Sequence, residues 1–206
     1  MTENINREIT LLKPEDVFLI IDRVKQKFDF PIHFHPEYEL NFILNGRGIR
    51  RVVGSSMEEI GDVELVLVGS NLEHGWETYN CKRNKIYEIT IQFHENLFSE
   101  KLLSLKNFKP IKDLFARSKQ GVLFDEKTAI HLMSKIKALS SKNGIDDFVK
   151  LLKLLEELAN SKNQRILSTN IERNNQFEGS EKIKKVHDFL NENYARKISL
   201  HKFLIW

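Results

Sequence analysis

Two histidines and a carboxylate fall within a single short stretch, His33, His35 and Glu39. On an extended strand side chains alternate faces, so these three share parity and point the same way. Imidazole nitrogens and a carboxylate on one face form a ligand set for Zn, Ni, Fe or Mn, or the polar wall of a ligand pocket. His74 supplies a third imidazole further along, and Asn41 and Trp76 are candidate lining beside it. Three readings stay open. His33, His35, Glu39 and His74 could hold a divalent metal; His33, His35, Glu39, Asn41, His74 and Trp76 could bind an organic effector without one; or the same groups could be satisfied internally. Glu37 has the same parity and could take the place of Glu39, and Trp76 could equally be a core aromatic.

These residues need elements to position them. Tyr38–Leu44 alternates, with Tyr38, Leu40, Phe42 and Leu44 on one face and Glu39, Asn41 and Ile43 on the other. Asn45-Gly46-Arg47-Gly48 follows as a hairpin turn, since Asn-Gly readily takes positive φ. Residues 85–94 alternate again, with Tyr87, Ile89, Ile91 and Phe93 opposed to Glu88, Thr90, Gln92 and His94. Further short strands are expected over 8–12, 17–22, 49–53, 57–60 and 64–68, separated by Gly-containing turns. Such spacing predicts a sandwich or barrel up to about His94.

The composition then turns helical. Helices are expected over 95–108, 110–119 and 126–140, the last with Asp125 as its N-cap, and over a stretch that begins at Asp146 or Asp147 and ends near Asn160. Phe148, Leu151, Leu152, Leu155 and Leu158 give that last helix an apolar face wide enough for a partner helix as well as the core. Residues 161–179 are polar and read as a linker, and Ser180 caps an expected helix over 181–194.

The net charge of +3 is mild and does not by itself indicate nucleic-acid binding. Cys81 is the lone cysteine, so no internal disulfide can form and no oxidising compartment is indicated. Residues 1–10 lack the apolar core of a signal peptide, and no apolar run is long enough to span a membrane. A cytoplasmic protein is expected.

The spacing H-x-H-x3-E-x6-G from His33 to Gly46 resembles the first motif of the cupin superfamily. The wider order resembles an AraC-type transcriptional regulator, in which a cupin-like sensor barrel precedes a helical dimerisation region and a DNA-binding module of two helix-turn-helix units. Gly61-Asp62 through Leu67-Val68-Gly69-Ser70-Asn71-Leu72-Glu73-His74-Gly75-Trp76 is similar to a segment of sensor barrels in that family, and residues 182–200 to the first helix of the DNA-binding module and the Ile-Ser-Leu opening its second. Ser70 and Glu73 stand where prolines are usual, and His74 lies further from Gly69 than in the general cupin second motif. The tail His201-Lys202-Phe203-Leu204-Ile205-Trp206 does not continue as a second helix would, so no residue of this chain is assigned to reading bases.

The resemblance implies an α+β chain: a cupin-like effector-sensing β-barrel over 1–96, an antiparallel helical dimerisation region over 97–162, a linker over 163–180 and the start of a helix-turn-helix module over 181–206. The implied function is a ligand-responsive, non-enzymatic transcription regulator. Its partners are a small-molecule effector such as a sugar, a second copy of the chain, and DNA only in a longer form; no cofactor is required, with a divalent metal in the barrel as the other option. The alternative is a metal-dependent cupin enzyme, an isomerase or dioxygenase, using the His/His/Glu/His set. A third reading is a truncated decoy that dimerises with full-length copies.

Overall fold

The strand Tyr38–Leu44 is buried along almost its whole length, on both its apolar and its polar face. That follows from its place in the computed structural model, which describes residues 5–139 and 144–169; all lie in a first unit, Met1–Ile171.

In chain order the strands are β1 (Asn6–Arg7), β2 (Leu19–Lys25), β3 (His33–Phe34), β4 (Tyr38–Leu44), β5 (Arg50–Val53), β6 (Ser56–Glu59), β7 (Val63–Val68), β8 (His74–Glu77), β9 (Ile86–Phe93), β10 (Val122–Phe124) and β11 (Gln164–Ile166). They form two sheets, a smaller one ordered β1-β3-β8-β5-β6 and a larger one ordered β11-β10-β7-β4-β9-β2. The helices are α1 (Glu100–Leu103), α2 (Lys109–Ser118), α3 (Glu126–Lys137) and α4 (Ile145–Asn160).

The larger sheet is the middle layer. Its apolar parity set, including Leu40, Phe42, Leu65, Leu67, Ile91 and Phe93, packs in one core with Ile111, Leu114 and Phe115 of α2, Leu132 and Ile136 of α3 and Leu151, Leu154 and Leu155 of α4. The opposite parity faces the smaller sheet, where Ile43, Val66, Val68 and Ile86 share a second core with Val53 and Trp76. The polar residues of that parity, Glu39, Asn41, Glu64, Glu88, Thr90 and Gln92, are therefore buried between the sheets. In a sheet covered on one face they would have been solvated.

The expected barrel is not closed; two separate sheets face one another. Pro31 and Pro36 flank β3, which is two residues long and meets β8 at the single register pair His33↔His74. Proline has no N–H for a ladder, so a strand bracketed by two prolines cannot stitch the sheets together.

A turn follows β4, with Asn45 at φ 64° and Gly48 at φ 93°, but the expected hairpin does not form: β4 and β5 lie in different sheets, so the turn carries the chain from one sheet to the other. Gly46 serves a different purpose: a Cβ there would meet Ile43 Cγ2 at 2.7 Å and Ile60 Cδ1 at 2.8 Å, so the space under the turn admits no side chain. Asp125 caps α3 as expected, accepting from Thr128 N at 3.0 Å. The N-cap of α4 is Gly144 at φ 62°, which places Asp146 and Asp147 inside the first turn, where carboxylates favour the positive end of the helix dipole. The helical region is also interrupted: β10 adds to the edge of the larger sheet beside β7 between α2 and α3.

Residues 164–169, in the stretch expected to be a linker, are fastened down. β11 pairs with β10, Leu167 is buried, and Ser168 Oγ accepts from Ser55 N at 3.2 Å. Arg165 grips Glu58 at 2.7 and 2.5 Å, and Glu58 also receives Arg51 Nη2 at 2.7 Å. The remainder of the expected linker and the whole helix-turn-helix start, residues 170–206, lie outside the described residues.

The Arg165 hydrogen bond, joined by Arg51, outweighs burial and holds the Glu58 carboxyl down at about 2. A carboxyl lowered in the fold stabilises above its ordinary value and loses that contribution as pH falls from the ordinary value of 4.5 towards 2. Thermal melts of wild type and Glu58→Gln from pH 6 to pH 2 should differ most near neutral pH, and the gap should close across that window. A gap that stays constant through it would rule out the coupling.

Candidate metal and effector site

His33 lies on β3, His35 just after it, Glu39 on β4 and His74 on β8, and all four are buried. Each presents one ligand atom, and these atoms all lie within 4.8 Å of one another. All four site residues expected from sequence to bind metal thus come together, though not by sharing one strand. The chain leaves the smaller sheet after β3, turns at Pro36 and enters the larger sheet at β4, so the cluster is built across the gap between the sheets. His74 comes opposite His33 through the β3–β8 register.

Two of the three imidazoles have their tautomer set by backbone. His33 Nδ1 donates to Pro31 O at 3.0 Å and His74 Nδ1 to Leu72 O at 2.7 Å. A carbonyl oxygen only accepts, so each Nδ1 carries the proton and, in the neutral ring, each Nε2 presents a lone pair to the cluster. His74 Nε2 is buried without a hydrogen-bond partner, 3.7 Å from Glu39 Oε1.

His35 Nε2 contacts Glu39 Oε2 at 3.2 Å. Its Nδ1 faces Glu37 Oε2 at 3.5 Å, and neither of those buried atoms has a hydrogen bond. Glu37 therefore stands behind His35 and does not replace Glu39. A carboxylate behind a ring nitrogen is the arrangement that orients a metal-ligating histidine.

Glu39 is held by Gln92 Nε2 at 3.0 Å and approached by Asn41 Nδ2 at 3.5 Å. Burial alone would raise the Glu39 carboxyl; the His35 hydrogen bond and the charge of His35 and His74 outweigh it and hold the group well below the usual range. Burial pulls His35 down, but Glu39, then Glu37 and Glu8, leave it raised. These are the marks of a site where positive charge is strongly favoured.

Asn41 bridges away from the cluster to Thr90 Oγ1 at 3.2 Å and Glu88 Oε1 at 3.4 Å. Trp76 is both wall and core: its ring centroid lies 6.0 Å from that of His74, and it packs with Val53 and Ile43. Its Nε1 donates to Glu64 Oε1 at 2.9 Å, and Glu64 Oε2 receives Arg51 Nη1 at 2.5 Å. From the histidine cluster, a continuous polar path thus runs through Trp76, Glu64, Arg51 and Glu58 to Arg165.

Sequence reasoning missed Glu8, Gln92, Thr90, Glu88, Glu64 and Arg51 as members of the interior. For the three on β9 a signal was present, since Glu88, Thr90 and Gln92 share parity. It becomes readable only once both faces of the sheet are known to be covered. Glu8 carries no such signal.

Four ligands tetrahedrally placed at the usual ~2.1 Å stand about 3.4 Å apart; the contacts of 3.2 and 3.7 Å from Glu39 to His35 and His74 are near that spacing, and the four ligand atoms, spread over up to 4.8 Å, would draw together around an ion.

The fold and site together describe a two-sheet α+β unit with helices on one outer face and a cluster of three histidines and a carboxylate between the sheets. No protein-family model matches the chain, and no curated protein matches it. Solved structures of ToxT from Vibrio cholerae are similar to it. One is 15% identical with a TM-score of 0.43, covering 90% of this chain and 69% of that one. A second, with an unsaturated fatty acid bound, is 17% identical with a TM-score of 0.43, covering 88% of this chain and 65% of that one. At these identities and scores the likeness defines neither a family nor a ligand. Among the described residues no helix is long and apolar enough to cross a membrane.

Arg51 is buried against Glu64, and removing one partner of a buried ion pair strands the other. Arg51→Met should lower unfolding stability in urea by about 3–5 kcal/mol. Adding Glu64→Gln to the same chain should recover much of that loss. A double variant as unstable as the sum of the singles would mean that the two side chains act independently.

Proposed function

We propose that this chain is the sensing part of an AraC-type, ligand-responsive transcription regulator, and that what it senses is bound at His33, His35, Glu39 and His74. The observation that carries the site is the convergence of four buried ligand atoms within 4.8 Å, two of them imidazole nitrogens whose tautomer is fixed by a carbonyl behind the ring. The reading as a regulator is supported by the order of the three sequence segments that resemble the AraC type.

The occupant best suited to these four residues is a divalent transition metal. Three imidazoles and a carboxylate select metals of the Zn, Ni, Fe and Mn group without distinguishing among them. Such an ion supplies charge neutralisation to Glu39 and a fixed point joining the two sheets. A polar effector held through Asn41, Thr90 and Gln92 beside it is compatible with the same interior. An aliphatic chain is not, because this space is lined by hydrogen-bonding groups that it would leave unpaired.

Sensing needs unequal affinity for two arrangements of the protein. The polar path from Trp76 through Glu64, Arg51 and Glu58 to Arg165 is the element suited to carry it. It begins at the ring beside His74 and ends on the strand leading towards residues 170–206.

The metal-dependent cupin enzyme draws on the same four ligands. Dimerisation is supported by Ile145 and Val149, one turn apart on α4, which are 80% and 39% exposed. Sedimentation should show a dimer for the wild type that Ile145→Asp with Val149→Asp converts to monomer; an unchanged dimer would place the contact elsewhere.

The deciding experiment on the site is metal titration. Chelator-treated protein should take up one equivalent of Zn²⁺ or Co²⁺ by calorimetry. His74→Ala should weaken binding by more than the roughly 100-fold that loss of an outer-shell partner can cost. Wild type that binds neither ion would return the site to a metal-free effector pocket, and turnover of a substrate by the loaded protein would favour the enzyme.

A further inference from the structure

The cluster holds a second carboxylate, from outside the motif. Glu8 follows β1, which pairs in parallel with β3, matching Asn6 with His33 and Arg7 with Phe34. The Glu8 amide donates to Phe34 O at 2.9 Å, which fixes its backbone beside the site. Its Oε2 lies 3.2 Å from His33 Nε2 and 3.9 Å from His35 Nε2, and its side chain is three-quarters buried.

His33 already donates through Nδ1 to Pro31 O, so the atom that faces Glu8 is Nε2, the one that would ligate a metal. Glu37 stands behind His35, so three carboxylates, Glu8, Glu37 and Glu39, surround the histidines, and among the described residues none of them has a lysine or arginine partner. A divalent cation at the cluster would offset two of those charges.

We propose that Glu8 is a fifth metal ligand. The inference rests on the metal reading of His33, His35, Glu39 and His74. With a cation bound by both Glu8 and His33, residue 8 gains a coordinate bond beside the hydrogen bond from its amide to Phe34 O.

The test uses Co²⁺ as the probe, with the whole chain, in wild type, Glu8→Gln and His74→Ala. Glutamine keeps the size and removes the charge. Wild type should bind Co²⁺ with the weak visible bands of five-coordinate cobalt. Glu8→Gln should bind about 10–100-fold more weakly, as expected for the loss of one contact in a site that survives, with the stronger bands of a four-coordinate ion. Hydrogen exchange at the Glu8 amide should slow on adding Co²⁺ in wild type and not in Glu8→Gln. Equal affinity and identical spectra in wild type and Glu8→Gln would overturn the proposal while leaving the four-ligand site standing, as would exchange at Glu8 that ignores the metal. If wild type takes up no Co²⁺ at all, and His74→Ala looks the same, the metal reading itself fails and the Glu8 ligand falls with it.

Discussion

Covering both faces of one sheet governs this molecule. The larger sheet carries its helices on one side and the smaller sheet on the other. A strand in that position has no solvent face to which polar side chains can be assigned. Each polar residue of β4, β7 and β9 that faces inward must therefore find a partner or a ligand within the fold. Glu39, Asn41, Glu64, Glu88, Thr90 and Gln92 are all held under that constraint, and their hydrogen bonds make two connected groups. One surrounds the three histidines; the other runs through Arg51.

The two groups differ in how completely they are satisfied. Glu64 is bonded on both oxygens, by Trp76 and Arg51, and behaves as a structural ion pair. At the histidine cluster, His74 Nε2, His35 Nδ1 and Glu37 Oε2 are buried without hydrogen bonds. Asn41 Oδ1, Arg51 Nε, Glu88 Oε2 and Gln92 Oε1 are also buried without a hydrogen bond, so it is the convergence of three imidazoles and a carboxylate that marks the site.

Residues 164–169 are tied into the same network. Arg165 is bonded to Glu58 and Ser168 to the β5–β6 turn, so this stretch is joined through Glu58, Arg51 and Glu64 to Trp76 beside the histidines.

Much of the site was legible in the sequence. His33, His35, Glu39 and His74 could be named from spacing because a motif of ligands survives whatever the surrounding fold. The alternation of β4 and β9, the turn at Asn45–Gly48 and the Asp125 cap are likewise local consequences of side-chain parity and backbone preference. The tertiary structure decided what parity alone leaves open. It placed His33 and Glu39 on different sheets, kept the sheets from closing into a barrel, and buried the polar face of β9 together with that of β4 between them. It also brought Glu8 onto His33 and Arg165 onto Glu58. The physical reason is that strand parity fixes which residues share a face, while only the packing of distant elements fixes whether that face meets water, a second sheet or an ion.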